Sequence, residues 1–415
     1  MIRAGSLLYA LCVALILSIL SSSLIMLVYN AQKERDNLIL SEHLIQNTVS
    51  GMNYYLTTNF LPLNGETEID LFHLKKDSVK IRDYSWGLYR VVVCQAHQRN
   101  RHYTSSCLIG DKPQRNLTAL YLAEKNKPLA LCGLTRIKGT CYLPLQGVKR
   151  AYIEGQNFVG TQLLDGTTKT SSSIIPELQI KSMKEETDKF HSNEDTIVDI
   201  MSLEANKKVS NSFSNKTLLL LSVRDIDLEN FQLSGNIVIM SKGLVHVRSS
   251  SQLRDVLIVS KRITIDKNFT GNFQGFAQDS IGVNEDVTLN LPSALCLISD
   301  PKSGNLGKIS VARRSKIYGG VICMNSANLS SPIVNISLAE GACVQGMVYT
   351  QGLVEHKGSI IGSLYCGGFM LRTASATYEN HLLNAEINSL NLPDYFVGIF
   401  PVLETKRKAI IKMLL

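Results

Sequence analysis

The chain has 415 residues, of which 19% are charged and 7% aromatic; this excludes a wholly disordered polymer and leaves material for a large core. The net charge of +8 favours anionic surfaces such as phospholipid heads, cell-wall polymers or nucleic acid. Basic residues gather in 95–102 (Arg99, Arg101), at Arg136, Lys138, Lys149 and Arg150, and at Lys406, Arg407, Lys408 and Lys412. They lack the interleaved aromatics of a nucleic-acid platform, so a solvated basic face and no nucleic-acid partner are expected.

Residues 1–5 read as a short leader, and no charged residue occurs between Arg3 and Lys33. Residues 6–29 are apolar apart from serines, and as a helix they reach about 36 Å, enough to cross a bilayer. Serine is tolerable in such a helix because its hydroxyl bonds back to the preceding turn. A cleaved signal peptide with Ser21–Ser23 as the small-residue site is the competing reading, but 24–29 continue the apolar run, which favours an uncleaved anchor. The flanking charges, Arg3 before and Lys33 and Arg35 after, leave the orientation near balance. Over 30–60 the pattern continues as an amphipathic stem helix with a stripe of Leu38, Ser41, Ile45, Val49, Met52 and Leu56, ending at Pro62 and Asn64-Gly65.

Met1-Ile2-Arg3-Ala4-Gly5, with Ser6 as first mature residue, followed by this half-apolar helix, resembles the N-terminal part of type IV pilins and the minor pseudopilins of secretion systems. Ala10 stands at the fifth mature position, where most pilins carry glutamate. The resemblance implies cleavage after Gly5, a helix half in the membrane, and a stem packed on a β-rich head. It also implies the inner membrane of a Gram-negative envelope, a periplasmic head, and pilus or secretion-system components or self-association as partners.

Residues 61–117 form a β-rich segment with strands expected over 78–82, 86–93 and 103–109, and Trp86, the one tryptophan, as a core or interface anchor. From 118–175 and again from 217–375 a short phrase recurs in which apolar residues flank a glycine. It is clearest at Gly319, Gly346 and Gly362 and looser at Gly139, Gly155, Gly235 and Gly271. A period of roughly 16 to 27 residues carried by β-branched residues and glycine points to a parallel β-helix, whose equivalent side chains stack inward about 4.8 Å apart. The glycine supplies φ > 0 at a corner where a side chain would strike the neighbouring coil. An antiparallel β-sandwich with glycine bulges is the alternative. Residues 176–216 are polar and glycine-free, with a modest helical stripe of Ile197, Ile200, Met201 and Leu203, and read as a partly helical excursion. The tail, 376–415, loses the period and is expected to cap the solenoid. The fold class is therefore mainly β, a parallel β-helix ectodomain on a long N-terminal transmembrane helix. The later repeats resemble bactofilins, polymer-forming β-helix proteins, and the whole layout resembles uncharacterised single-pass envelope proteins; the former implies a cytoplasmic scaffold as the alternative function.

Nine cysteines occur, Cys12 in the apolar segment and Cys94, Cys107, Cys132, Cys141, Cys296, Cys323, Cys343 and Cys366 beyond it, with no CxxC and no zinc spacing. Cys323 and Cys366 fall in equivalent slots of different coils, as buried free thiols would. Disulfides between Cys94 and Cys107 or between Cys132 and Cys141 are the alternatives in an oxidising compartment. Carboxylates at Asp225, Asp227, Glu229, Asp255, Asp266, Asp279, Glu285 and Asp286 raise the question of an anchored carbohydrate-active enzyme. The alternation of Asp225 and Asp227 suits an outward strand face instead. His97 and His102 form no ligand motif, and no phosphate loop, dinucleotide fingerprint or GxSxG occurs. No catalytic residue, cofactor or metal site is expected, and the partner most directly read is the lipid bilayer, through residues 6–29.

Overall fold

The computed structural model describes residues 4–58, 65–71, 77–98, 100–113, 116–178, 196–200, 208–299, 307–325, 333–399 and 407–414. The protein is mainly β with one long helix, and divides into two units, 1–82 with 93–105 and 83–92 with 106–415.

In the first unit the helix Ala4–Thr57 runs unbroken for 54 residues, about 81 Å at the α-helical rise. Ser18 and Ser23 donate to the carbonyls of Leu15 and Leu20, both at 2.9 Å, so these hydroxyls are satisfied within the helix. The stem packs one face on the strands of its unit, but the face is rotated from the expected stripe. Of that stripe Met52 is buried and Ser41 and Leu56 are half-buried, but Leu38 (72% exposed), Ile45 and Val49 face outward, and Leu44, Asn47, Thr48, Gly51 and Tyr55 are buried in their place. Small and self-satisfied residues decide this. A Cβ at Gly51 would lie 2.7 Å from Val79 Cγ1, and the Thr48 hydroxyl donates to Leu44 O at 2.7 Å, so it enters the interface without an orphaned group.

The strands expected over 78–82, 86–93 and 103–109 are observed as Asp77–Trp86, Tyr89–Gln98 and Arg101–Asp111, with Gly87 at φ 61° turning the chain where the second was expected to begin. Glu66–Ile69 adds antiparallel to Asp77–Trp86.

In the second unit strands pair in parallel, rung upon rung. One ladder runs Ile226, Val245, Ile263, Ile281, Ile309, Ile336, Val354 and Phe369. These side chains are all buried in a single core. The interval between partners is 15 residues from Val354 to Phe369 and 28 from Ile281 to Ile309, longest where 300–306 intervene. Pairing is thus parallel along this stack, unlike a sandwich. Gly319, Gly346 and Gly362 stand in one column beside it. Gly346 has φ 137°, and a Cβ there would overlap the Gly319 carbonyl oxygen, so only glycine lets successive rungs close up at this corner. Gly271 does not share the conformation, and its copy of the phrase is packed on Phe269 instead.

The spatial order of the rungs is not their sequence order. Thr118–Leu122 pairs with Ser359–Arg372 through Leu120 and Leu364, and Arg136–Lys138 pairs with Glu386–Asn388. Thr140–Leu143 and then Thr168–Thr170 follow outward. The rungs of 118–170 therefore stack on the C-terminal strands Ser359–Arg372 and Glu386–Asn388. The strands Thr196–Asp199 and Lys208–Asn211 pair at the opposite extreme, with Leu218–Ser222 and Gln232–Gly235. The polar excursion is thus not helical over 196–199, although Ile197 and Ile200 were read in a helical stripe; Met201 and Leu203 lie outside the described residues. The tail does not lose the ladder either. Glu386–Asn388 forms a rung between Ile360 and Ile137, and Lys408–Leu414 pairs antiparallel with Arg101–Asp111 through its 106–111 part.

Candidate functional site

The carboxylates that raised the question of catalysis sit at the ends of rungs, and cations occupy most of them. Arg248 grips Asp227 with two parallel bonds, Nε to Oδ1 at 2.8 Å and Nη2 to Oδ2 at 2.7 Å. It also reaches Asp266 at 3.5 Å, whose other oxygen lies 2.6 Å from His246 Nε2. Arg314 holds Asp286 in the same forked way, at 2.6 and 2.8 Å, and lies 3.5 Å from Glu285, which Lys267 approaches at 3.5 Å. Asp225 accepts from the Leu244 amide at 2.7 Å, and Asp255 pairs with Lys412 and accepts from Asn272. Glu229 is exposed in a turn and Asp279 half-buried on Thr270–Val283.

This geometry links successive rungs. The Arg248 guanidinium beside Asp227 holds its carboxyl below the usual carboxylate range, and Arg314 does the same for Asp286. A general acid for glycoside hydrolysis needs the opposite shift, a proton retained near neutrality. The turns carry alternating charge, Lys267, Glu285, then Arg313 and Arg314, so each rung end attracts the next.

His97 and His102 are exposed near the turn between Tyr89–Gln98 and Arg101–Asp111. Among the described residues, no three His, Cys, Asp or Glu side chains are placed to hold a metal. None of the nine cysteines is joined in a disulfide, so neither expected pair is formed. Cys323 and Cys366 lie two rungs apart in one ladder through Thr350, in the equivalent slots the repeat predicts, and burial pushes both thiols up to about 12.

Trp86 acts as the anticipated anchor. Its Nε1 donates to Asp255 O at 3.0 Å and its ring meets Phe213 edge-on at 5.2 Å. Sequence reasoning missed its partner Gln274, which is buried, accepts from the Leu88 amide at 2.7 Å and donates to Trp86 O at 2.8 Å, clasping the 86–89 turn. A glutamine amid Phe273 and Phe276 was the one signal for it.

The other candidate surface is the helix. It is long and apolar enough to span a membrane. Its side chains from Gly5 through Asp36 are all exposed, in contrast to the buried face from Leu44 to Tyr55. Comparison with family models, curated proteins and solved structures finds no match to this chain.

Proposed function

We propose that the chain is a non-enzymatic, single-pass membrane protein of the bacterial envelope, whose helix anchors and props a parallel β-helix head acting in assembly or adhesion in the manner of a minor pseudopilin. One observation carries this reading: a single uninterrupted helix leaves its first apolar turns wholly uncovered and then packs one face against protein. A helix of about 81 Å that met only water would expose a large apolar surface at its N-terminal half, whereas a bilayer covers it at no structural cost. The head reading rests on the in-register parallel ladders and the glycine column. On this proposal the anchor lies in the inner membrane, the head in the periplasm, and the partners are pilus or secretion-system components or further copies.

A second reading, a cytoplasm-facing scaffold polymer of the bactofilin kind, is favoured by nine cysteines with no disulfide among them, a state that a reducing compartment preserves. Spheroplasts treated with a membrane-impermeant thiol reagent separate the two, because Cys343 is half-exposed. Labelling of Cys343 in intact spheroplasts, lost in Cys343→Ser, is expected for a periplasmic head. Labelling only after lysis transfers the head to the cytoplasm and selects the scaffold.

A further inference from the structure

One corner of the rung stack gathers cations without matching them. Ser222 pairs with Ser241, and Ser260 follows on the next rung, one residue beyond the pair Met240 and Val259. These serines hold the backbone of the turns that they open. Ser222 Oγ accepts from the Arg224 amide and Ser241 Oγ from the Gly243 amide, both at 3.0 Å. The Ser241 and Ser260 hydroxyls donate to Arg224 O and Arg262 O, both at 2.8 Å. The turns fixed in this way carry Arg224, then Lys242, then Lys261 and Arg262, all exposed. Arg262 is in register with Ser280 and, through it, with exposed Lys308. Adjacent rungs lie about 4.8 Å apart, so the cations follow a line about 19 Å long.

Among the described residues no carboxylate pairs with any of these five side chains. Asp225 accepts from the Leu244 amide and Asp279 is half-buried, so five positive charges against two negative leave the corner basic. The next corner of the same rungs is built the other way: Arg248 is matched by Asp227 and Asp266, and Arg314 by Asp286 and Glu285. Like charges on neighbouring strands repel. Arg224, Lys242 and Lys261 therefore gain nothing from one another within the folded chain, and the counter-charge has to come from outside it.

We propose that this corner binds an extended anionic polysaccharide, whose carboxylate or phosphate groups lie along the line of Arg224, Lys242, Lys261, Arg262 and Lys308. Charge complementarity and shape identify the occupant. A single exposed ion pair is worth little in water, whereas a polymer meets several cations in one binding event. The strip is one corner wide, which suits a chain and not the plane of a bilayer. Residues 222–225, 241–244, 260–262 and 278–280 include no aromatic side chain, so nucleic-acid bases have nothing there to stack on. The proposal gives the adhesive head its ligand and rests on the envelope reading, in which the head faces surface glycans.

The test titrates the full-length protein, held in phosphatidylcholine nanodiscs, with polygalacturonate and with neutral dextran of similar length. Saturable binding of polygalacturonate alone is expected, weakened by high salt and about tenfold weaker in Lys261→Gln/Arg262→Gln. Both side chains are exposed, so the melting temperature of that variant is expected to stay within about 2 °C of the unaltered protein. Arg313→Glu, which lowers the net charge by the same amount at the other corner, is expected to leave the affinity unchanged. Absence of binding, or equal weakening by Arg313→Glu, overturns the corner. Tighter binding of single-stranded DNA that depends on Lys261 and Arg262 overturns the polysaccharide. A cytoplasmic head in the thiol-labelling experiment also removes the polysaccharide but leaves the measured affinity standing, so failure of the envelope reading is told apart from failure of the corner.

Discussion

Rungs between residues 252 and 372 stack in the order in which they are made, whereas those of 118–170 stack on C-terminal strands, Ser359–Arg372 and Glu386–Asn388. Both regions follow the same rule of apolar residues about a glycine, and Gly139 and Gly346 both adopt positive φ. The difference teaches that the local pattern specifies a rung but not its neighbour. In 252–372 a short connection returns each strand to the edge it has just left, so proximity in sequence chooses the partner at small loop-closure cost. For 118–170 the edge is created by residues more than 200 positions later, and these strands can dock only once that edge exists. The early rungs thus wait on C-terminal edges: Ser359–Arg372 for Thr118–Leu122, His381–Leu383 for Leu129–Cys132, and Glu386–Asn388 for Arg136–Lys138.

That dependence can be broken at Ile387, which is fully buried between Ile360 and Ile137. Ile387→Asp places an unpaired charge in the core at a cost above about 4 kcal/mol. Because the rungs from 218 to 356 do not rest on it, limited proteolysis followed by mass spectrometry is expected to cut first within 118–170, leaving a resistant fragment containing 218–356. Simultaneous cutting of both regions is the outcome that sinks the two-step account.

A smaller effect, confined to the in-order region, is expected at Gly346. Alanine there combines strained φ with overlap on the Gly319 carbonyl and lowers stability by roughly 2–4 kcal/mol, read from the urea midpoint. Gly271→Ala supplies a comparison without the φ penalty, and equal losses at the two sites would refute the corner argument.

Much of this was legible from sequence where the physics is local. The anchor is visible because lipid needs an unbroken apolar run, and the glycine column because one backbone conformation repeats at one corner. The slots of Cys323 and Cys366 follow from that same period. What stayed hidden depends on partners distant in the chain. Asn47, Thr48 and Gly51 look like poor core residues until Val79 arrives, so hydrophobicity chose Ile45 and Val49 and misplaced the stem face. Ile197 and Ile200 suit a helix by spacing, but a free strand edge at Leu218–Ser222 recruits residues 196–199 as strand. The outward placing of Asp227 was legible from its alternation with Asp225, but nothing near Asp227 or Asp286 announced Arg248, about 20 positions on, or Arg314, nearly 30 on.

The rung Glu386–Asn388 is also fastened by His356, fully buried at the end of Cys343–His356, whose Nε2 donates to Glu386 O at 3.0 Å. Burial, opposed by that bond, lowers its pKa from 6.5 to about 4. The unfolded chain takes up a proton on this histidine below pH 6.5 while the folded one does not until about pH 4. Its contribution to stability is therefore whole above 6.5, declines as pH falls through the window between the two values, and is level below it, with a steepest slope of about 1.4 kcal/mol per pH unit. Urea unfolding across pH 4 to 7 is expected to show that slope shallower in His356→Gln than in the unaltered protein, and parallel curves would reject the assignment.

The smallest effect belongs to the charged rung ends, which the surface leaves open to water. Asp227→Asn removes one arm of the Arg248 fork, but the guanidinium keeps Asp266 and solvent, so the melting temperature is expected to fall by no more than about 2 °C, and by less in high salt. The same substitution discriminates sharply between the two roles considered for this carboxylate. A general acid or base lost in this way costs several orders of magnitude in glycan hydrolysis, whereas a rung fastener costs a small, salt-screened loss of stability. The comparison of melting and hydrolysis in a single variant therefore asks whether the carboxylates of this stack serve chemistry or only hold one rung to the next.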